Sequence, residues 1–395
     1  MGITGSYTIE SLPLVIQEKI SLGLTKVNGD GMASPAVASS WTISEDGKVY
    51  TVKLRTDLSF QDNKRLKSQD INYNFKDAKF EIIDDNTVRF TLNESFSPFL
   101  TVLSQPIFKK GLIGVGEYKV KKASFNGSFV TTLVLVGTKN DKNKQIIYRF
   151  YPTDEALKTA FTLGEIDRIE KLYDVSQFYN WPNVQIDKTN NTTELVAIFF
   201  NTRDANLSPK NTRQALIYAL PDKFEEGETA SSPLRPTSFA YIGQPDKFTQ
   251  NLKKSKELLG KTSATSSMMT IKLSADRKLE KVASQIAKVW QDIGVKTDIE
   301  LTRTAPAASS NWQAFLGILR IPPDPDQYIL WHSTQINNNI MGYANQKIDK
   351  LLEDGRKTQD QTEREKIYAD FQKYLVDDAP AAFLYYPAVY TVKRK

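Results

Sequence analysis

The stretch from residue 269 to residue 301 constrains the fold of this chain more than any other. Residues 269–273 have the alternating pattern of a β-strand, and residues 295–301 have the pattern of a second one. Between them lies a helical stripe of apolar residues that ends at Gly294. The stripe consists of Leu279, Val282, Ile286, Val289 and Ile293. A strand, a helix and a strand in this order predict a βαβ unit, with a parallel strand pair and a right-handed crossover.

The first half of the chain has the pattern of antiparallel hairpins instead. Residues 41–43 and 49–55 flank the dipeptide Asp46-Gly47, which is a strong hairpin signal. Tyr50 and Val52 alternate with polar residues, which predicts one dry face for the second strand. Further strands are predicted at residues 80–83, 88–92, 131–136 and 146–150.

Several element boundaries can be predicted from capping residues. Thr153 is a candidate N-cap, and Ser208-Pro209 is a candidate N-cap with the first helical residue. Thr362–Glu365 has the pattern of a capping box, and Phe383–Tyr386 that of a strand. The helix that follows the capping box is predicted to present one face made of Ile367, Phe371, Tyr374 and Leu375.

Composition excludes several classes of function. The 395 residues include no Cys and a single His, so disulfides, thiolate nucleophiles and metal sites built from Cys or several His are excluded. The formal net charge is +6, and basic doublets such as Lys121-Lys122 are typical of a solvated face, so no nucleic-acid partner is expected. No apolar run approaches the roughly 18 residues of a membrane span. The chain opens without a signal-peptide pattern, so it is either cytosolic or preceded by an export segment outside this sequence.

Two short motifs favour a structural interpretation. Gly111–Gly116 is rich in glycine, but its spacing fits no phosphate-binding loop, and it predicts a tight turn or close-packed backbone. Asp324-Pro325-Asp326 is similar to a metal-binding pattern, but its proline predicts a turn that caps a helix from Gln327 onward. We therefore predict no metal site.

Aromatic and amide side chains concentrate between residues 312 and 343. Amphipathic aromatic rings next to amides suit recognition of a polar ligand. The alternative is core packing for the tryptophans and a polar loop for the amides, and the pattern alone does not decide between them. The residues are Trp312, Arg320, Trp331, His332, Asn337, Asn338, Asn339 and Tyr343.

Blocks in a fixed order resemble the extracellular solute-binding proteins of family 5, the binding components of oligopeptide, dipeptide and nickel ABC importers. The first blocks are Pro35–Trp41 and Asp46–Arg55, followed by Gly114–Tyr118 and Leu163–Asp167. The later blocks are Asn201 with Ser208–Ala219, Ile293–Val295, Asp324–Asp326, Tyr343–Asn345 and Arg364–Pro380. Together they extend over almost the whole chain.

The resemblance implies an α/β fold of the two-lobed, periplasmic-binding-protein-like (type II) class, a clamp with a reduced accessory subdomain. Residues 1–200 are expected to form a β-rich lobe I, to which the strand at 380–395 returns. Residues 201–379 are expected to form an α/β lobe II that contains the βαβ unit. The chain then crosses between the lobes near Asn201 and near Ala379.

The resemblance also implies which residues bind the ligand. In lobe I these are Glu10 and the segment Gly23, Leu24 and Thr25. In lobe II the resemblance points to the block from Trp312 to Asp326, which contains the candidates Trp312, Gly317, Arg320 and Ile321. The aromatic and amide pattern adds the candidates Trp331, His332, Asn337, Asn338, Asn339 and Tyr343. On this hypothesis Trp331→Ala weakens ligand binding at least about tenfold and leaves the fold intact.

One departure from the family pattern bears on the ligand. Peptide binders of the family often have an Asp shortly before the Asp-Pro turn, where it pairs with the amino group of the ligand. This chain has Arg320 and Ile321 there, and a guanidinium offers no acceptor to an ammonium group. Either Glu10 takes over this role, or the ligand presents an anionic or neutral group. The alternative is that Arg320 points to solvent and that backbone groups alone recognise the ligand.

We therefore expect an extracytoplasmic, non-enzymatic protein that captures a peptide or peptide-like solute and delivers it to the transmembrane subunits of an ABC permease. It is expected to be a monomer without cofactor, tethered by an N-terminal segment absent from this chain. One alternative is the same fold binding an oligosaccharide, an opine-like anion or a metal chelate. Another is a hydrolase, which would need two opposed carboxylates that the sequence does not indicate.

Overall fold

The structure is a computed structural model that describes residues 1–138, 144–243, 248–260 and 269–395. The chain divides into two compact units. Unit 1 comprises Met1–Asn28, Met32–Thr189 and Val389–Lys395, and unit 2 comprises Gly29–Gly31 and Asn190–Ala388.

Unit 1 is rich in strands, as its hairpin patterns predict. Its helices are α1 (Leu14–Ile20), α2 (Phe99–Val102) and α3 (Asp154–Thr162). Its strands are β1 (Gly2–Thr4), β2 (Thr25–Val27), β3 (Ala33–Pro35), β4 (Ala38–Ile43), β5 (Val49–Leu54), β6 (Ala78–Asp84), β7 (Thr87–Leu92), β8 (Tyr118–Asn126), β9 (Phe129–Gly137), β10 (Gln145–Tyr151), β11 (Arg168–Leu172) and β12 (Val184–Asn190).

Unit 2 alternates strands and helices. Its strands are β13 (Glu194–Phe200), β14 (Gly227–Thr229), β15 (Met269–Asp276), β16 (Val295–Thr302), β17 (Ala314–Arg320) and β18 (Ala381–Arg394), whose last residues belong to unit 1. Its helices are α4 (Lys210–Ala219), α5 (Leu252–Gly260), α6 (Glu280–Asp292), α7 (Tyr328–Trp331), α8 (Gln346–Lys357) and α9 (Gln361–Asp378). Single 3-10 turns lie at Ser68–Asp70, Ser176–Phe178 and Arg277–Leu279.

One sheet of unit 1 contains both predicted hairpins. Strands β4, β5, β7 and β6 pair in this order, all antiparallel. The predicted dry face of β5 is confirmed, because Tyr50 and Val52 have no exposed surface and Leu54 has 3%. These side chains pack against Phe90 and Phe99 in one core.

The second sheet of unit 1 has the order β11, β1, β10, β9 and β8. Strand β1 runs parallel to β10 and β11, and β9 pairs antiparallel with both β8 and β10. The sequence predicted β9 and β10 but not β8. Strand β8 carries the consecutive lysines Lys121 and Lys122, and a register shift between Val120 and Lys122 interrupts its alternation.

The predicted βαβ unit of unit 2 is confirmed. Strands β15 and β16 pair in parallel along their whole length, and α6 connects them. Helix α6 buries Val282, Ile286 and Trp290 against the sheet, whose order is β16, β15, β17, β13 and β18. The indole nitrogen of Trp290 donates to the carbonyl oxygen of Leu216 at 3.0 Å, so α6 is also tied to α4.

Helix boundaries in unit 2 differ from the prediction by one or two residues. Helix α4 has Pro209 as its N-cap, so Ser208 lies outside the helix. Helix α9 begins after Asp360, whose carboxylate accepts from the backbone N–H of Glu363 at 2.8 Å. The predicted capping residue Thr362 therefore lies inside the helix. Tyr374 is 39% exposed rather than buried, and the ammonium of Lys347 lies over its ring.

The boundaries between the units also differ from those the sequence predicted. The chain leaves unit 1 after Thr189 rather than near Asn201, and it returns at Val389 rather than at Pro380. Strand pairing explains the difference. Strand β13 pairs with β17 and with the first half of β18, so both belong to the sheet of unit 2. Only the end of β18 pairs with β11 of unit 1.

Candidate functional site

The candidate site in unit 2 is the stretch from Trp312 to Tyr343, called here the recognition segment. It begins with β17, which lies between β13 and β15. Gly317 is buried in this strand, and a Cβ atom there would lie 2.3 Å from the ring of Phe315. Gly317 therefore makes room for the ring of Phe315, and this packing role is the one that the structure supports.

Two ion pairs hold the turn that follows β17. The guanidinium of Arg364 contacts both carboxylate oxygens of Asp324, at 2.7 and 3.3 Å, and both residues are more than nine-tenths buried. Arg356 contacts Asp326 at 2.8 Å. The backbone N–H of Asp326 donates to Asp324 at 2.9 Å, which closes the predicted turn. Both carboxylates are thus neutralised by protein cations.

The residues before this turn are also held by the protein. Ile321 is 2% exposed in a small core with Leu195 and Tyr386, and its carbonyl oxygen accepts from Nε of Arg235 at 2.9 Å. Arg320, in contrast, is exposed at the end of β17. The positions where the resemblance implies an acid therefore hold one core side chain and one solvated cation.

Two of the three aromatic residues predicted to bind the ligand, Trp331 and Tyr343, form hydrogen bonds within unit 2 instead. Trp331 has no exposed surface, its ring contacts Phe383 edge to face, and its Nε1 donates to Gln327 at 2.7 Å. The Tyr343 hydroxyl donates to Asp378 at 2.8 Å. Burial, reinforced by the negative charge of Asp378, raises the pKa of Tyr343 far above its usual value, so this hydroxyl stays protonated.

Trp312 differs from the other two aromatic residues. It is 3% exposed, and its Nε1–H has no hydrogen-bond partner within the described part of the chain. A buried donor without a partner costs about 1–3 kcal/mol. Trp312 is therefore the member of the predicted set with a free, desolvated donor.

The position of Trp312 depends on residues that the sequence did not predict for the site. The side-chain amide of Asn201 donates to the carbonyl oxygen of Trp312 at 2.7 Å. Arg203 donates to the carbonyl oxygens of Ala308 and Ile340 at 2.8 and 2.9 Å. Asn201 lies in a family block, whereas no local pattern distinguishes Arg203 from other surface arginines.

The amide run is divided between two roles. Asn337 and Asn338 are exposed. Asn339 is 3% exposed and braces the loop, because its side chain donates to the carbonyl oxygen of Tyr343 at 2.7 Å and accepts from the N–H of the same residue at 3.2 Å. Of the three, only the first two present their amides to solvent.

His332 is buried and fully engaged within unit 2. Its Nδ1 accepts from the backbone N–H of Thr334 at 3.2 Å, and its Nε2 lies 3.3 Å from a carboxylate oxygen of Glu353. Its ring stacks on Tyr328 with 4.0 Å between centroids. Both ring nitrogens of His332 thus have partners within the protein, which indicates a structural role for this residue.

In unit 1, the predicted residues also fall into two groups. Glu10 is exposed. Gly23, Leu24 and Thr25 are buried, with the N–H of Leu24 donating to the hydroxyl of Tyr73 at 3.2 Å. The Thr25 hydroxyl donates to a backbone carbonyl at 2.5 Å. Glu10 is therefore the one residue of this group with a solvated polar side chain.

A small cavity of unit 2 lies apart from the recognition segment. Its volume is about 50 Å³, and its lining includes Ile217, Phe224, Phe248 and Phe383. This is room for a few water molecules at most, not for a peptide. No group of three or more His, Asp or Glu side chains among the described residues is placed to hold a metal ion. The described helices also include none long and apolar enough to cross a membrane.

Two compact units, one rich in strands and one that alternates strands and helices, are the architecture of a two-lobed solute-binding protein. Residues 33–339 match the family model described as bacterial extracellular solute-binding proteins, family 5 Middle. The match spans most of the chain, and the chain belongs to this family.

Individual relatives agree with this assignment. The chain is 24% identical to the oligopeptide-binding protein AppA of Bacillus subtilis, over 96% of this chain and 83% of the relative. It is 23% identical to the dipeptide-binding protein of Escherichia coli, over 99% of this chain and 86% of the relative.

Solved structures show the same fold. The ABC transporter substrate-binding protein CtaP of Listeria monocytogenes superposes with a TM-score of 0.83 at 23% identity, over 100% of this chain and 93% of that chain. NikZ of Campylobacter jejuni, in complex with Ni(L-His), superposes with a TM-score of 0.81 at 23% identity, over 100% of this chain and 94% of that chain. These likenesses confirm the predicted two-lobed α/β fold class.

Proposed function

We propose that this protein is the extracytoplasmic substrate-binding component of an ABC importer, that it captures a peptide or peptide-like solute, and that it delivers the solute to the permease without an enzymatic step. The membership in family 5 carries this proposal. Relatives that bind oligopeptides and dipeptides, and a neighbour named as an ABC transporter protein, support it.

The recognition segment supplies a chemical reason for a peptide-like ligand. The free Nε1–H of Trp312 is a desolvated donor, and each peptide unit of a ligand carries a carbonyl acceptor that would satisfy it. Asn337 and Asn338 offer further amides at the surface of the same segment. The ion pair of Arg364 with Asp324 holds the turn in place, and a preorganised turn lowers the entropic cost of binding.

A second candidate ligand is a solute without a free amine, such as a metal chelate. The neighbour NikZ was crystallised with Ni(L-His). The observation that favours this candidate is that both carboxylates of the turn already form ion pairs within the protein. Asp324 and Asp326 are both occupied by arginines, so neither is available to a ligand ammonium group.

Native mass spectrometry of the freshly purified protein tests the proposed function. We expect a co-purified ligand that appears as a ladder of peptide masses. A single non-peptide mass would favour the second candidate and contradict the first. Because the ligand is identified directly, the result does not depend on any assumption about the site.

The role of the ligand amine is tested with the recovered peptide, synthesised with a free and with an acetylated amino terminus. We expect acetylation to leave the affinity nearly unchanged, because the turn has no free acid. If acetylation does weaken binding, Glu10→Gln is expected to weaken binding of the free peptide equally. Loss of binding on acetylation, together with full affinity in Glu10→Gln, would show that another acid holds the amine.

Trp312→Phe tests the free donor. The substitution keeps an aromatic ring and removes one hydrogen bond to the ligand, so we expect a roughly two- to tenfold weaker affinity in calorimetry. Stability should change little, because Nε1 has no partner in the protein. Trp290→Phe is the matched control, since it loses an internal bond to Leu216 and should retain the affinity. Equal affinities for Trp312→Phe and the unsubstituted protein would exclude this role.

A further inference from the structure

The excess of positive over negative charge in this chain comes from one stretch of unit 1. The chain has 52 basic and 46 acidic residues. Residues 118–151, which contain β8, β9 and β10, contribute seven of the basic residues and one of the acidic residues. The remainder is balanced, with 45 residues of each sign, because 52 less 7 and 46 less 1 are equal. The excess of +6 is thus a local property.

The strand register places much of this charge on one face of the sheet. Residues paired across strands point to the same side. The rows on the outward side are Lys119 with Val136 and Gln145, Lys122 with Val134 and Ile147, and Ser124 with Thr132 and Arg149. The intervening side chains, which include Leu133, Leu135 and Tyr148, are buried in a core on the opposite side. We call the outward side, with its cations Lys119, Lys122 and Arg149, the basic face.

No ion pair compensates the cations of the basic face in the described part of the chain. Strands β8, β9 and β10 contain no Asp or Glu. The cations Lys119, Lys121, Lys122 and Arg149 are exposed, and none of them forms an ion pair with a described residue. Strand β8 is also the outermost strand of its sheet, so its far side is not covered by another strand.

Two phenylalanines extend from the end of the same hairpin. A two-residue turn at 127–128 joins β8 to β9, and Gly127 there has φ of 59°, as such turns require. Phe125 and Phe129 flank this turn and are 50% and 48% exposed. Neither belongs to a core of the described residues. Exposed apolar rings beside uncompensated cations are the composition of surfaces that bind at a membrane interface.

We propose that the basic face and the phenylalanines at the hairpin tip bind the surface of an anionic lipid bilayer. Anionic headgroups attract Lys and Arg with about 1 kcal/mol each near the surface, and two Phe rings can enter the boundary between headgroups and acyl chains. Cations spread over a sheet face, with apolar rings at one end, suit a fluid and charged lipid surface. They suit the defined shape of a protein surface less well. The inference does not depend on which solute the protein binds.

Flotation of the full chain with lipid vesicles tests this proposal. One set of vesicles is phosphatidylcholine alone, and the other contains one third phosphatidylglycerol. We expect binding to the anionic vesicles only, and weaker binding as salt rises, because salt screens the attraction. Lys119→Gln, Lys121→Gln and Lys122→Gln combined are expected to lower the partition coefficient by about tenfold or more. Phe125→Ser with Phe129→Ser should lower it several-fold at unchanged charge.

A second triple variant controls for net charge. Lys253→Gln, Lys256→Gln and Lys366→Gln remove the same charge from exposed positions of unit 2. We expect this variant to bind within about twofold of the unsubstituted protein. Equal binding to both kinds of vesicle, an equal loss in the control variant, or no binding to anionic vesicles at low salt would each overturn the proposal. The last of these is the result expected if the basic face binds an acidic protein instead. All substituted side chains are exposed, so melting curves should confirm that each variant is folded.

Discussion

Asp324→Ala is expected to destabilise the protein by about 3–5 kcal/mol, because it leaves the charge of Arg364 buried without a partner. Arg364 is 6% exposed, and Asp324 is its only ion-pair partner among the described residues. Urea unfolding followed by tryptophan fluorescence measures the effect, and Trp290, Trp312 and Trp331 all report on unit 2.

Asp354→Ala is the matched control for this substitution. Asp354 also pairs with a cation, Lys350 at 2.6 Å, but both side chains are largely exposed on α8. Exposed pairs of this kind contribute about 0.3–0.5 kcal/mol. If the two alanine variants were equally stable, the turn would not depend on its buried ion pair.

Trp331→Ala is expected to be the second most destabilising change, by about 3–5 kcal/mol, because it leaves a large cavity in the core of unit 2. Its ring has no exposed surface, and the Gln327 oxygen that accepts from Nε1 would lose its donor. The sequence hypothesis predicts a different result, in which ligand binding is at least about tenfold weaker and the fold is intact. Urea unfolding and ligand titration of the same variant separate the two.

Trp331→Phe is the companion variant in this experiment. It preserves most of the ring volume and removes the hydrogen bond to Gln327, so a loss of about 1 kcal/mol is expected. An alanine variant that unfolds at the same urea concentration as the unsubstituted protein, but binds ligand at least about tenfold more weakly, would support the sequence hypothesis. A destabilised variant would instead confirm that the ring acts in the core.

The elements predicted most accurately are those with a clear period. The alternation in β5 and the helical stripe of α6 are consequences of burial on one face, so the sequence alone indicates them. Strand β8 has no such signal, since lysines interrupt its alternation and a register shift divides it. The start of helix α9 was predicted two residues too late, because Asp360 and Thr362 are both good N-cap residues and the tertiary context selects Asp360.

The candidate site was less predictable than the fold. Trp312 and Trp331 are chemically alike, and only the packing around them shows that one Nε1–H is bonded within unit 2 and the other is not. The ion pair between Asp324 and Arg364 joins residues 40 positions apart, which no local pattern indicates. Family resemblance points to a region of the chain, but side-chain partners determine what each residue in it is free to do.

Strand β18 has a consequence for the order in which the molecule folds. Its first residues pair with β13 in unit 2, and its last residues, at Tyr390, Val392 and Lys393, pair with β11 in unit 1. Val392 enters the core of the unit that otherwise ends at Thr189. During synthesis the ribosome must therefore complete all of unit 2 before unit 1 receives its final strand. Contacts between such distant residues form slowly, so an incomplete unit 1 with an open sheet edge would persist while the chain grows. At this stage the protein is most exposed to aggregation or to capture by a chaperone.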